Sequence, residues 1–163
     1  MGVRNLGELG PSLQKIIKRL MKNKELVKLL YYTDKDPLSK EELTEQEIKT
    51  LIYEKLIKIV PKVEAKETAQ SVVAMSVRGG STDKNNDEFT NIKISFEIFV
   101  PMTQWIIKDE NLRPFAILGE IQKSLNGKTV NGLGKIRGGD FELNFLTEEI
   151  SCYIQDFYIT TYE

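Results

Sequence analysis

The chain has 163 residues, with 23 basic side chains, 24 acidic side chains and no histidine. Its length suits one domain with its own core, and a composition 40% hydrophobic and 29% charged excludes an intrinsically disordered chain. The near balance of charge argues against bulk binding to nucleic acid or acidic lipid, and the lack of histidine removes the commonest general base and metal ligand.

The single cysteine and the first residues bear on the compartment. Cys152 has no second cysteine for an internal disulfide, which indicates a reducing environment. Residues 1–6 lack the apolar run of a signal peptide, and no stretch has the length and apolarity of a membrane span. We therefore expect no membrane partner.

The N-terminal part predicts an arm followed by helix. Residues 1–11 contain three glycines and a proline, which predicts a flexible arm. Ser12 is the expected N-cap of an amphipathic helix that carries apolar residues every three or four positions, namely Leu13, Ile16, Ile17, Leu20 and Met21. The following stretch, residues 26–32, is apolar on nearly every side. A helix of that kind is buried either in its own core or against a partner.

A turn and two helix-start signals come next. Pro37 forbids continued helix, so residues 33–38 form a turn. Ser39 with Glu42, and Thr44 with Glu47, each match a capping box, and either could begin a helix that runs through Ile52.

The strongest strand signal lies in residues 88–100. Apolar side chains there occupy every second position, at Ile92, Ile94, Phe96, Ile98 and Val100. Because alternate side chains of a strand point to opposite faces, this spacing predicts one continuous apolar face and the best nucleus for a core. Residues 70–78 predict a second strand, joined to the first as an antiparallel hairpin with a long polar tip at residues 79–88.

The C-terminal part predicts a helix and further strands. Arg113-Pro114 opens the helix, with proline at a position that needs no N–H, and Gly127 ends it. Residues 141–145 alternate, and residues 153–161 are apolar on both faces, which predicts a strand that is central in the sheet or covered by a partner. The fold class expected for residues 1–163 is a single α+β domain: one antiparallel, at most mixed, sheet of about four to five strands with helices mainly on one face.

Candidate chemical motifs fail on their spacing. Gly127-Lys128-Thr129 resembles the end of a phosphate-binding loop, yet Gln122 stands where that loop needs glycine. Residues 83–88 resemble a calcium loop, yet its sixth position is Glu88 and its twelfth is Ile94. A dinucleotide site requires a helix directly after its glycines, and no helix is predicted after the glycines at 132–139. Cys152 has no histidine to activate it. We expect no enzyme, cofactor or metal.

The order of elements resembles the tail terminator (tail completion, head–tail joining) proteins of tailed bacteriophages and related contractile particles. The likeness is carried by spacing over most of the chain: Leu29-Leu30-Tyr31-Tyr32 before Asp36-Pro37-Leu38, residues 88–94, Trp105, Arg113-Pro114 with Ile117 and Ile121, Gly127, Gly132-x-Gly134, and a strand close to the C-terminus.

The resemblance implies a structural virion protein, without catalytic residues, that assembles into a ring, typically a hexamer. Such a ring caps the tail tube, offers a docking face to a neck or head-completion protein, and lets DNA pass through its lumen without sequence-specific binding. A ring needs head-to-tail contacts between two different patches. The candidates for contacts with other copies or with the tube are the apolar helix and the hairpin tip: Leu26, Leu29, Leu30, Tyr31, Tyr32, Thr82, Asp83, Lys84, Asn85, Asn86 and Asp87. The alternatives are another phage neck protein, such as a head-closure or adaptor ring, and a non-viral α+β protein-binding module.

Overall fold

The structure is a computed structural model that describes residues 6–59, 70–82, 84–85 and 89–160. Within these residues the α-helices are Leu9–Met21 (α1), Lys24–Tyr31 (α2), Glu45–Glu47 (α3) and Arg113–Leu125 (α4). Helix α3 continues into a π-helical turn at Ile48–Ile52, and 3-10 turns lie at Leu6–Glu8, Pro37–Ser39 and Met102–Gln104. The strands are Ile57–Ile59 (β1), Val72–Thr82 (β2), Phe89–Pro101 (β3), Ile106–Ile107 (β4), Asn111–Leu112 (β5), Thr129–Val130 (β6), Gly134–Leu146 (β7) and Ile150–Thr160 (β8).

The described part of the chain is α+β, but its sheet is larger than predicted. Six strands pair in the order β1-β2-β3-β8-β7-β6, and β4 pairs with β5 in a separate two-stranded sheet. Strand β1 is parallel to β2, and every other pair is antiparallel, so the sheet is mixed. The expectation of four to five strands was too low because β1 and β6 are only three and two residues long. Alternation cannot be recognised over such short lengths.

Strand β3 has the buried apolar face that its alternation predicts. Ile92, Ile94, Phe96, Ile98 and Val100 of β3 are all buried, with at most 2% of each side chain exposed. The face that carries them is covered by α1, α2 and α4, and the core of the protein lies between the sheet and this layer of helices. We call this the helix-side face of the sheet.

Strand β8 lies between β3 and β7, which confirms the first of the two alternatives for a strand that is apolar on both faces. Its helix-side residues Gln155 and Phe157 are fully buried beneath the helices, and Cys152 is buried on the opposite face. The central position gives β8 a hydrogen-bonded strand on each edge.

The first helix begins earlier than predicted. Helix α1 starts at Leu9, and Ser12 lies buried inside it instead of capping it. Residues 6–11 are therefore helical, and residues 1–5 of the expected arm lie outside the described residues. Pro11 is compatible with this start because it lies in the first turn, where a helix has no need of its N–H.

One of the two capping boxes is formed. The Thr44 hydroxyl accepts from the Glu47 N–H, and the Glu47 carboxylate accepts from the Thr44 N–H, so these residues start α3. Ser39 instead donates to the Asp36 carbonyl within the 3-10 turn that begins at Pro37.

The hairpin of β2 and β3 is longer than predicted. Residues 79–82, expected in the polar tip, belong to β2. Register shifts flank Gly79, whose φ of +154° is a conformation that glycine tolerates best.

Arg113, the first residue of α4, is fully buried. Its guanidinium donates to the carbonyl oxygens of Leu29, Tyr32 and Asp34 at the end of α2, and to that of Gln104. Burial lowers the pKa of Arg113 to about 10, so the side chain stays charged at neutral pH. A single cation thus ties the end of α2 to the start of α4 by satisfying carbonyl groups that would otherwise be buried without a donor.

Candidate assembly surface

One edge of the main sheet is open. Strand β7 has β8 along one side, and β6 pairs with its other side at Gly134 and Lys135. The same side is hydrogen-bonded at Ile136, to Gly127 and Lys128, and at Gly138, whose N–H donates to the Asn126 side chain. Among the described residues, no strand lies beside the outer edge of residues 141–146. A strand edge of this length presents a row of unpaired N–H and C=O groups, which is a template for pairing with another chain.

The open edge carries large apolar side chains. Phe141 is 55% exposed, Leu143 is 48% exposed and Leu146 is 55% exposed. Leu143 pairs in register with Tyr153, whose ring centroid lies 5.3 Å from that of Phe115, itself 41% exposed at the start of α4. We call Phe115, Phe141, Leu143 and Tyr153 the β7 patch. Contiguous exposed apolar groups of this kind mark interaction sites more often than singly scattered ones do.

A β-bulge sets the direction of these side chains. The register of β7 against β8 shifts between Gly138 and Phe141. The buried amide of Gln155 donates to the carbonyls of Gly139 and Asp140, and it accepts from Gln122 of α4. A Cβ at Gly139 would lie 2.6 Å from the Tyr158 ring, so any larger residue there would require that ring to move. The bulge is thus fixed by a buried hydrogen-bond network, and it re-aims the strand that follows.

Part of the opposite face of the sheet is polar and charged. Residues from β2, β3, β7 and β8 line a shallow cavity of about 490 Å³ there, so the sheet is curled around it. Arg78 pairs with Glu97 at 2.7 Å, and Lys93 pairs with Asp156 at 3.3 Å. The hydrogen bond to Asp156 raises the pKa of Lys93. Both cations are paired, and Glu142 also lines the cavity, so the cavity has no surplus positive charge with which to hold an anion.

Some of the predicted contact residues are buried in the structure, and others are exposed. Leu26, Leu29 and Leu30 are at most 1% exposed within the core of the chain, so the own-core alternative holds for them and they present no surface to another copy. Tyr31 and Tyr32 are partly exposed, with ring centroids 5.1 Å apart. Thr82 ends β2, and Lys84 and Asn85 form an exposed turn. Asp83, Asn86 and Asp87 lie outside the described residues.

The β7 patch was not predicted from the sequence. Alternation at residues 141–145 predicted a strand, but it does not say whether the apolar face of that strand is covered. The one available signal was Gly138-Gly139, since adjacent glycines within a strand pattern suggest a bulge.

The described residues offer little for chemistry. None of them form a group of three or more histidine, cysteine, aspartate or glutamate side chains that could hold a metal ion. Burial raises the pKa of the Cys152 thiol to about 12, so it is neutral and a poor nucleophile. None of the described helices has the length and apolarity needed to cross a membrane.

Comparison with known proteins gave a family but no curated relative. No curated protein matches the chain. The family model for YomW matches residues 23–155, a range that runs from the start of α2 into β8 and includes the open edge of β7. That match covers most of the chain, and YomW is a phage-derived family. The protein therefore belongs to the YomW family.

Proposed function

We propose that this protein is a structural virion subunit, a tail terminator that forms a ring on the end of the tail tube and joins it to the neck. The observation that carries the proposal is the β7 patch beside an open sheet edge. A large apolar surface at an unpaired edge is suited to permanent contact with another chain, and it is costly to leave in water.

Two further observations support this assignment. Membership in a phage-derived family favours a role in the particle over a non-viral binding module. The order of elements also resembles that of tail terminator proteins: a hairpin, a helix opened by Arg113-Pro114, and a closing strand. A ring of such subunits stops tube growth because its outer face lacks the surface to which the next tube subunit binds.

The second candidate is another ring of the neck, such as a head-closure or adaptor protein. The same open edge favours it, since any ring built from one kind of subunit needs two patches that complement each other. The two candidates differ in the partner, which is the end of the tube for a terminator and the portal side for a closure ring.

The test is a tube-growth assay with the tail-tube protein of the same phage. Tube subunits are polymerised with and without this protein, and tube lengths and ends are measured by negative-stain electron microscopy. We expect shorter tubes with a ring at one end, while mass photometry detects a ring-sized species. Tubes of unchanged length with bare ends would contradict the terminator role, and binding to the portal complex instead would favour the closure ring.

A further inference from the structure

We propose that the exposed cations of α1 and of the turn after α4 bind the phosphate backbone of duplex DNA, independently of base sequence. This inference goes beyond the proposed function, and its test depends neither on a ring nor on a tube. The cations are those that we call the basic surface: Lys15, Lys18, Arg19, Lys22 and Lys128.

The basic residues are unevenly distributed along the chain. Residues 9–24 and residues 121–139 together contain nine basic and no acidic side chains, although the net charge of the whole chain is −1. The balance that argues against bulk binding to nucleic acid is therefore an average that does not describe these two stretches. The helix dipole accounts for basic residues in the last turn of α1, but Lys15 lies in the middle of that helix and Lys128 lies beyond the end of α4.

The fold places the two stretches side by side. The Lys15 ammonium donates to the Asn131 carbonyl at 2.9 Å, and the Arg19 guanidinium donates to the Thr129 carbonyl at 3.4 Å. Lys128 directly precedes Thr129 and is exposed, so the turn after α4 adds a cation next to those of α1.

Helix α1 arranges its lysines in a stripe. Lys15, Lys18 and Lys22 are three and four residues apart and are all exposed, so they lie on one side of the helix. At a rise of 1.5 Å per residue the stripe is about 10 Å long. Duplex DNA carries one negative charge per about 1.7 Å of its axis, so a stripe of this length faces several phosphates.

The cations of the basic surface are available to a ligand. In the part of the chain that the structure describes, the ion pairs are formed by other cations, such as Lys24 with Glu42 and Lys123 with Glu120. The shallow cavity at the end of α1 is lined by four cations and by two acids, Glu25 and Glu120, so the local charge is positive.

The composition of the basic surface favours DNA over an acidic protein. Among the described residues, no exposed large apolar side chain lies in residues 9–24 or 121–139. The centre of a protein–protein interface is apolar and depleted of charge, whereas protein–DNA interfaces are polar and strongly positive. The β7 patch has the opposite character and lies at the other end of α4, where Phe115 begins the helix that Lys128 follows.

The same composition favours a duplex over a single strand. Neither stretch contains a phenylalanine, tyrosine or tryptophan. Proteins that hold single strands use aromatic side chains on which the bases stack. A lysine ammonium instead acts on phosphate as a point charge, which carries no sequence information.

The test compares the wild type with a variant that combines Lys18→Gln, Lys22→Gln and Lys128→Gln, all at exposed positions. Fluorescence anisotropy with a labelled duplex of mixed sequence should give the variant a dissociation constant at least about tenfold higher at low salt. The logarithm of the wild-type association constant should fall linearly with the logarithm of the salt concentration. The slope should become shallower by about 1 for each lysine removed.

The matched control combines Lys35→Gln, Lys49→Gln and Lys84→Gln, which change the net charge by the same amount at exposed positions outside the basic surface. Its affinity for the duplex should stay within about twofold of that of the wild type. Equal losses in the two variants would mean that only the overall charge matters, and they would overturn the proposal. A wild type without salt-dependent binding to the duplex would overturn it as well.

Competition on the wild type gives a second measurement that does not depend on how the variants fold. Unlabelled duplex of an unrelated sequence should displace the probe as well as the same sequence does. A single strand, and poly-glutamate at the same concentration of charge, should displace it less well. Poly-glutamate that competes as well as the duplex would assign the surface to an acidic protein and overturn the proposal.

The outcomes separate this inference from the proposed function. The tube-growth assay contains no DNA, so the variant that lacks the three lysines should limit tube length as the wild type does. A wild type that binds the duplex but leaves tube length unchanged would keep the basic surface and remove the terminator role. A wild type that limits tube length but binds no duplex would do the reverse.

Discussion

Phe96 lies at the centre of the core and shows what a single alternating position contributes. It is fully buried, and its ring packs edge-to-face on that of Phe157, with centroids 5.6 Å apart and an angle of 87° between the planes. That geometry is the one aromatic rings prefer. Phe141 provides the contrast, since it is the same residue type on the same sheet face but is 55% exposed.

We predict that Phe96→Ala lowers the free energy of unfolding by about 3–5 kcal/mol, because truncating a buried aromatic removes its transfer energy and leaves a cavity. Phe141→Ala should change it by no more than about 0.5 kcal/mol. Urea unfolding followed by circular dichroism measures both. Equal effects for the two variants would mean that the exposed and buried faces of the sheet are wrongly assigned.

Arg113 is a polar residue on which the packing of the helix layer depends. The guanidinium satisfies carbonyl groups from two separate segments, which a side chain with fewer or less rigidly placed donors could not do. We predict that Arg113→Met costs more than about 3 kcal/mol of stability, since several buried carbonyls lose their donor and each such loss costs about 1–3 kcal/mol. Arg113→Lys should also be destabilised, and Arg137→Met, at an exposed position of β7, should not. Denaturant unfolding decides this, and a stable Arg113→Met variant would contradict it.

Cys152 gives a pH dependence of known sign. Burial raises the pKa of its thiol from 9.0 to about 12 in the folded chain. As pH rises, the unfolded chain loses this proton first, so this group lowers the stability of the fold between about pH 9 and about pH 12, by up to about 1.4 kcal/mol per pH unit. In Cys152→Ala the free energy of unfolding should fall less over this pH range, because the contribution of the thiol is removed. The measurement is the difference between the unfolding free energies of the two proteins at each pH. Identical pH profiles would mean that the thiol is not buried in solution.

At the scale of elements, the sequence signals for helix ends predict best where they involve a few neighbouring residues. Pro114 in the first turn of α4, and Gly127 at a φ of +74° just beyond it, bound the helix as predicted. The Thr44–Glu47 capping box also forms, whereas the equally good Ser39–Glu42 signal does not. Glu42 instead pairs with Lys24 of α2 at 2.8 Å.

The hairpin tip is the element most easily tested by deletion. The buried pairs of β2 with β3, such as Met75 with Phe96, lie far along the strands from Lys84 and Asn85, which are exposed. We therefore predict that deleting residues 82–87 leaves the unfolding midpoint nearly unchanged but impairs ring or tube assembly. The measurements are thermal unfolding and the tube-growth assay, and the control replaces the same residues with a glycine-serine loop of equal length. Normal assembly by the deletion variant would exclude the tip from the interface.

At the scale of the whole molecule, a single chain forms a buried core but leaves large apolar side chains exposed. Buried side chains from the helices and the strands form one cluster, and Leu26, Leu29 and Leu30 contribute to it without help from a partner. The exposed apolar side chains include those of the β7 patch, at the edge of the sheet. This arrangement suits a subunit that folds alone and assembles afterwards, which is the behaviour that the tube-growth assay examines.

The sequence by itself determined the α+β class, the β3 core face and the limits of α4, because each depends on periodicity or on residues adjacent in the chain. Only the tertiary structure decided that β8 is central, that Leu26, Leu29 and Leu30 are covered, and that Phe141 and Leu143 are not. An apolar face looks the same in sequence whether a helix or water lies over it. What covers it depends on strand order and on where α4 ends, and these are set by contacts between residues distant in the chain.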